Sequence, residues 1–181
     1  ILDDYVLTAN INDLEELDIR GCNISNLTGI KSFTALTNLD CAGNKLTSLD
    51  VTKNTALTNL DCEVNKLTSL NVSKNTALTH LDCSSNAIKS LDVSKNTALT
   101  NLDCGDAWGG NQLIRLDISK NTALRNLYCS NNQLTSLDIS NNTALNYISC
   151  SGNKFDCDAL KEKKVGVKKK KEVKKVIGCM D

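Results

Sequence analysis

The amino-acid sequence predicts a solenoid of stacked coils, with one domain and no central globular core. The main observation is a 21-residue unit, of which Cys62 to Asp82 is one copy, that recurs with small changes along most of the 181 residues. Cysteines mark its register at intervals of 21 residues, with one interval of 25. A fixed period of this length is typical of repeat architectures, in which each unit buries its apolar side only by stacking on its neighbours.

Each coil is predicted to contain two short strands and two asparagine turns, because residues 78–99 hold two halves with the same apolar spacing. In the first half, alternation places Leu81 and Cys83 toward the core, and His80 and Asp82 toward solvent. Stacked coils would align equivalent strands about 4.8 Å apart. We therefore expect parallel β-sheets on both sides of a flattened right-handed rod, with little helix except in terminal caps.

Three segments are distinguished by pattern and charge: an N-terminal cap (1–16), the solenoid (17–153) and a basic C-terminal cap or tail (154–181). The first two segments together hold 11 basic and 16 acidic side chains, whereas the third holds 10 and 5. The four lysines from Lys168 to Lys171 have no interleaved arginine or aromatic residue, so we expect no nucleic-acid partner. No transmembrane segment is expected, because no apolar run approaches about 20 residues.

Two inward ladders are predicted to be structural. The cysteines are expected to be buried thiols that fill the core, because side chains on parallel in-register strands point the same way and cannot be bridged without strain. The asparagines are expected to bond backbone groups of their own and neighbouring coils. A disulfide between Cys157 and Cys179, outside the ladder, stays open. The ladder residues are Cys41, Cys62, Cys83, Cys104, Cys129, Cys150, Asn44, Asn65, Asn86, Asn111, Asn132 and Asn153.

The outward columns and one inserted loop are the candidate ligand-binding surface. Residues 105–110 lengthen one turn by four residues and contain the single tryptophan, which either contacts a ligand or covers the adjacent coil. Aromatic and basic residues replace the usual Asp and Asn only near this loop. An alternative is that the outward polar residues merely keep the sheet soluble. The candidate residues are Trp108, Arg125, Tyr128, Tyr147, His80, Asp61, Asp82 and Asp103.

Catalysis is not expected. The single histidine, His80, and the nearest candidate nucleophile, Cys83, are predicted on opposite faces of one strand. A column of similar aspartates lacks the two contrasting environments that separate a general acid from a general base. Cysteines 21 residues apart along a rod do not converge as zinc ligands do. We therefore expect no enzyme activity, no cofactor and no metal.

Residues 14–153 resemble the leucine-rich repeats of bacterial surface proteins of the internalin type, in the 21-residue cysteine-bearing class L-x-x-L-x-C-S-x-N-x-L-T-x-L-D-V-S-x-N-T. The resemblance implies a secreted or cell-surface protein that binds a protein or glycan ligand. We expect a monomer that presents one solenoid sheet to this ligand, with its targeting segment outside this chain. The alternative is a structural spacer or an accessory segment of a larger surface protein.

Overall fold

The computed structural model describes residues 12–105, 111–155 and 160 of the chain. These residues form one parallel sheet of seven three-residue strands, and the strand order in the sheet is the order in the chain. Each strand therefore belongs to one coil that stacks on the preceding one. The strands are β1 (Glu16–Asp18), β2 (Asn38–Asp40), β3 (Asn59–Asp61), β4 (His80–Asp82), β5 (Asn101–Asp103), β6 (Asn126–Tyr128) and β7 (Tyr147–Ser149).

The register of the sheet aligns equivalent positions of successive repeats. Asp61 on β3 pairs with Asp82 on β4, which pairs with Asp103 on β5. Beyond the strands, the cysteine amide continues the ladder, since the Cys62 N–H donates to the Asp82 carbonyl at 2.9 Å. The repeat in the sequence is thus reproduced as columns of like side chains, and the predicted solenoid is confirmed.

The core consists of the inward side chains of all coils, packed in one continuous cluster. Leu81 and Cys83 are 2% and 0% exposed, whereas His80 on the same strand is exposed and Asp82 is half-buried. The predicted alternation of inward and outward residues is therefore correct. Phe33 is partly buried against this cluster.

The prediction of sheets on both sides was wrong for the described residues, which form strands on the cysteine side only. On the other side, the Asn54 N–H donates to the Val51 carbonyl and the Leu57 N–H to the Asn54 carbonyl, at 3.0 and 3.2 Å. These consecutive turns use their backbone groups within the coil. A side chain links the coils instead, because Asn75 Nδ2 donates to the same two carbonyls, of Val51 and Asn54, at 2.9 and 2.8 Å.

Helical structure in the described part of the chain is limited to a short 3₁₀ turn, Ile30–Ser32, in the atypical second half of the first coil, and to a helical residue, Leu160. Leu160 is buried and belongs to the core cluster. Most of the two predicted caps, residues 1–11 and 161–181, lies outside the described residues, as do Cys157 and Cys179.

Candidate functional site

The outward face of the sheet forms an open groove of about 460 Å³ that runs along β1 to β5 and reaches β6. Two columns of side chains border it, because the first and third residues of every three-residue strand point outward. One column contains the asparagines and His80, and the other contains the aspartates. Within the groove lie four of the predicted site residues, His80, Asp61, Asp82 and Asp103, together with Tyr128.

The aspartates in the middle of this column are only partly exposed, and this raises the pKa of their carboxyl groups. Desolvation raises the pKa of Asp61 to about 6, and the neighbouring carboxylates of Asp82, Asp40 and Glu63 act in the same direction. A hydrogen bond from the Glu63 N–H to Asp61 Oδ1, at 3.0 Å, opposes the shift. Desolvation also raises the pKa of Asp82. The middle of the groove therefore holds carboxylates whose charge is poorly compensated.

The N-terminal end of the same column is neutralised by Arg20, which the sequence analysis did not select. Its Nη2 lies 2.7 Å from Asp18 Oδ2, and its Nε lies 3.2 Å from Asp40 Oδ2. One guanidinium thus bridges two successive strands. Hydrogen bonds from Arg20 lower the pKa of Asp18. The outward phase of residue 20, two positions after Asp18, was the signal that could have revealed this pair.

The other end of the face carries a tyrosine pair. The ring centroids of Tyr128 and Tyr147 lie 4.9 Å apart with a tilt of 39° between the ring planes. The rings are diagonal neighbours, since the register pairs Tyr147 with Asn126 and Tyr128 with Ser149. Tyr128 is 37% exposed and counts among the exposed large hydrophobic residues of the described chain. An exposed ring supported by a second ring offers a firm apolar contact with a polar end.

Arg125 lies beside this pair and interrupts a regular column. Its carbonyl accepts a hydrogen bond from the Tyr147 N–H at 3.0 Å. In the preceding coils the same place is held by threonines, and Thr100 Oγ1 donates to the Thr79 carbonyl at 3.1 Å. Arg125 replaces such a threonine with an exposed cationic side chain. Three of the predicted site residues, Arg125, Tyr128 and Tyr147, therefore lie together. A further one, Trp108, lies outside the described residues.

His80 does not meet Cys83, the nucleophile nearest to it in the sequence. It is exposed on the outward face, where Nδ1 lies 2.9 Å from Thr79 Oγ1, whereas Cys83 is buried on the inward side. In residues 12–105, 111–155 and 160, no three His, Cys, Asp or Glu side chains come together in a way that could hold a metal ion.

All six ladder cysteines are buried, which agrees with their expected inward direction. Each of the first four has its Sγ within 3.3–3.5 Å of a carbonyl in the next coil, and Cys62 donates to the Asp82 carbonyl. Burial raises the pKa of Cys41 to about 12 and that of Cys62 well above its usual value. These two thiols therefore stay protonated at neutral pH and are poor nucleophiles.

The asparagine ladder beside the cysteines is built as predicted. Asn86 Oδ1 accepts from the Leu67 N–H at 2.9 Å, and its Nδ2 donates to the carbonyls of Cys62, Cys83 and Ser84 at 2.9, 3.2 and 3.0 Å. A single buried amide thus joins two coils through four hydrogen bonds. These bonds engage both polar atoms of the amide, so this column holds neighbouring coils together.

Comparison with known proteins identifies the repeat. A family model described as "Leucine Rich repeats (2 copies)" matches residues 12–53 and 122–162. A search of curated proteins gives no match. None of the helical segments in the described part of the chain is both long and apolar enough to cross a membrane.

Several solved structures are similar to this chain. The functional domain of InlJ from Listeria monocytogenes, which is described as including a cysteine ladder, is 37% identical over 81% of this chain and 36% of its own, with a TM-score of 0.67. The internalin InlF from Listeria monocytogenes is 27% identical over 82% of this chain and 44% of its own, with a TM-score of 0.74. This chain therefore spans less than half the length of either protein.

A third structure, internalin C2 from Listeria monocytogenes, shares the fold at lower identity. It is 15% identical over 83% of this chain and 77% of its own, with a TM-score of 0.64. The stacked-coil backbone is thus kept where few residues agree.

Proposed function

We propose that this internalin-like leucine-rich-repeat chain binds a partner protein through the outward face of the sheet formed by β1 to β7, without catalysis. Membership of the leucine-rich-repeat class supports an interaction module. The proposal places the protein outside the cell or on its surface, because the similar solved structures include Listeria internalins.

The observation that carries the proposal is the local change of the outward face at β6 and β7. From β2 to β5 the outward residues are Asn or His in one column and Asp in the other, and Tyr128 and Tyr147 break this pattern. The core does not require these rings, since Leu127 and Ile148 fill the inward positions of the same strands. Tyrosine and arginine are types that anchor interfaces, because they combine large contact area with polar ends.

A specific variant tests the site once a partner has been isolated by affinity capture and identified. We expect Tyr128→Ala to weaken the partner's affinity by about 2 kcal/mol, or about 30-fold, as measured by isothermal titration calorimetry. Thermal unfolding should change little, because the ring is 37% exposed and lies on the outward face.

The matched control is Thr135→Ala, which alters an exposed residue of a later coil away from the sheet strands. It should leave the affinity within twofold of the unmodified chain. Equal affinities for the unmodified chain and for Tyr128→Ala would remove the tyrosine pair from the binding site. A glycan ligand is the second candidate, and the same pair of variants, assayed on a glycan array, distinguishes it.

A purely structural spacer is the alternative from another class. A spacer would have no partner that contacts the sheet face. Substitutions on this face would then leave the measured affinity unchanged in every binding assay. The spacer has no explanation for an aromatic pair on the exposed side of β6 and β7. Binding explains it directly, and for this reason we favour binding.

A further inference from the structure

We propose that the aspartate column in the groove binds a lysine- or arginine-rich segment of the partner protein, whose cationic side chains lie along β3 to β5. This inference rests on the proposed function and names the chemistry of the ligand. It concerns the middle of the face, at a different place from the tyrosine pair.

The first support is a cation already bound to this column within the chain. Arg20 contacts Asp18 at 2.7 Å and Asp40 at 3.2 Å, so a guanidinium fits between two successive rungs. Asp40 pairs in register with Asp61, and Asp61 with Asp82, so the next rungs repeat the same arrangement. Arginine forms such planar contacts to carboxylates readily.

The second support is the absence of an internal counter-ion further along. Among the described residues, no Lys or Arg forms an ion pair with Asp61 or Asp82. Like charges about 4.8 Å apart repel one another, and partial burial strengthens the repulsion. A cationic side chain supplied from outside would relieve this repulsion, as Arg20 does between Asp18 and Asp40.

The shape of the site favours a segment over a single ion. The carboxylates follow one line along a groove of about 460 Å³. In the part of the chain that the structure describes, they do not converge as ligands of a metal ion. A row of charges at coil spacing matches a ligand that carries several cationic groups in a row.

Binding of such a segment should depend on pH. The carboxylates that act on Asp61 are Asp40 on β2, Asp82 on β4 and Glu63 in the following turn. Arg20 also interacts electrostatically with Asp61 without forming an ion pair with it, and His80 lies in the adjacent column of β4. A bound cation favours the ionised carboxylate, so it lowers the pKa of Asp61 from its value of about 6 in the free protein. The affinity is then full above pH 6 and falls as the pH decreases below 6.

The test measures binding of fluorescent decalysine to the full chain by anisotropy at low salt. We expect the double variant Asp61→Asn with Asp82→Asn to weaken binding about tenfold at pH 7.5. The asparagine side chains keep the acceptor for the N–H groups of Glu63 and Ser84, so the turns are retained. The affinity of the unmodified chain should fall between pH 7.5 and 5.0, and that of the double variant should change less.

A control with the same change of net charge is available on the other side of the coils. Asp92 and Asp117 lie in adjacent coils and accept hydrogen bonds from the N–H groups of Ser94 and Ser119, both at 2.9 Å. Asp92→Asn with Asp117→Asn should leave decalysine binding within twofold. An equal loss in both double variants would show attraction by net charge alone and overturn the proposal. Absence of decalysine binding would also overturn it.

These outcomes are separate from those of the proposed function. In one outcome, Tyr128→Ala loses partner binding and the unmodified chain does not bind decalysine. This result would support the proposed partner-binding face and reject the proposal of a cationic segment. Decalysine binding that depends on Asp61 and Asp82, with a partner insensitive to Tyr128→Ala, would reject the tyrosine site and keep the acidic groove.

Discussion

Replacing Asn86 by alanine should destabilise the protein strongly, because this buried amide joins two coils. Asn86 is 5% exposed and makes four hydrogen bonds to backbone groups. Alanine removes all four and leaves the Leu67 N–H, which lies in the buried turn region of the preceding coil, without its acceptor. The three carbonyls lose less, since the Cys62 carbonyl also accepts from Asn65 Nδ2 at 3.1 Å.

The expected loss follows from these groups. An orphaned buried donor costs about 1–3 kcal/mol, and each lost hydrogen bond to a carbonyl about 0.5–1.5 kcal/mol. Water that enters the space left by the side chain recovers part of this loss. We therefore expect the free energy of unfolding to fall by about 3–5 kcal/mol. A protein of this size should then melt about 10 °C lower.

The assay is urea unfolding followed by circular dichroism, with thermal melts beside it. The control is Asn59→Ala on the outward face, where the residue is exposed and the loss should stay below about 0.5 kcal/mol. A further variant, Asn86→Asp, keeps an acceptor but places a carboxylate against three carbonyl oxygens, so it should be worse than alanine at pH 7. A loss below about 1 kcal/mol for Asn86→Ala would refute the structural role of the ladder.

Three further predictions concern thiols and pH. The six ladder cysteines should resist alkylation until the protein unfolds, whereas exposed Cys22 should react in the native state. Mass-spectrometric mapping of the alkylated residues checks this. Rapid labelling of the ladder cysteines in the native protein would contradict it. Asp61→Asn should raise the free energy of unfolding by about 1 kcal/mol at pH 7.5, because a pKa raised from 3.8 to about 6 costs the folded state up to about 3 kcal/mol before solvent screening. The unmodified protein is not destabilised by Asp61 below about pH 4, where the carboxyl group is protonated, and it is destabilised increasingly as the pH rises through 6. The stability gained by Asp61→Asn should therefore vanish near pH 4, as thermal melts at a series of pH values would show. Asp50→Asn should do the opposite, losing stability at neutral pH, because Lys31 lowers the pKa of Asp50 to about 2.

The sequence was sufficient to predict the parts of the fold that repeat. The spacing of Leu81 and Cys83 within a coil, and the recurrence of both after 21 residues, predicted an inward column and therefore a stack. The asparagine ladder followed from the same reasoning. Periodicity predicts these features reliably because every coil supplies the same information, and one consistent arrangement satisfies all of them.

The same pattern could not predict that the described residues form no strands on the second side. Both halves of a coil have the same spacing of apolar residues and asparagine, yet the two asparagines act differently. Asn86 accepts an N–H and donates to carbonyls, whereas the Oδ1 of Asn96 accepts no hydrogen bond among the described residues. Asn96 instead bridges the carbonyls of Val72 and Asn75 through Nδ2 alone. The sequence pattern gives only the spacing of apolar residues and asparagines. Whether a segment is extended or forms two successive turns depends on backbone hydrogen bonds, which this spacing does not specify.

The candidate face was only partly predictable, because a site is a departure from the repeat. The aromatic substitutions at Tyr128 and Tyr147 were visible in the sequence. Their ring contact, which joins residues 19 positions apart, required the register of β6 and β7. The outward phase of residue 20 could indicate its contact with Asp18, whereas the bridge from Arg20 to Asp40 required the register of β1 and β2.

One coil shows that the outward side is not optimised for stability. Val64, three residues after Asp61, has φ 49°, a left-handed conformation that is unfavourable for a β-branched residue. The equivalent turns in other coils have Gly43 and Gly152 at φ 63° and 66°, so this chain already contains the unstrained solution. Val64 is 52% exposed, so the core does not require it, and Asp61 carries a carboxylate whose ionisation the folded state opposes. Val64 and Asp61 are therefore two unfavourable residues on the outward side of one coil. The binding face proposed above gives a physical reason for keeping them, because unfavourable residues are tolerated where they serve a contact.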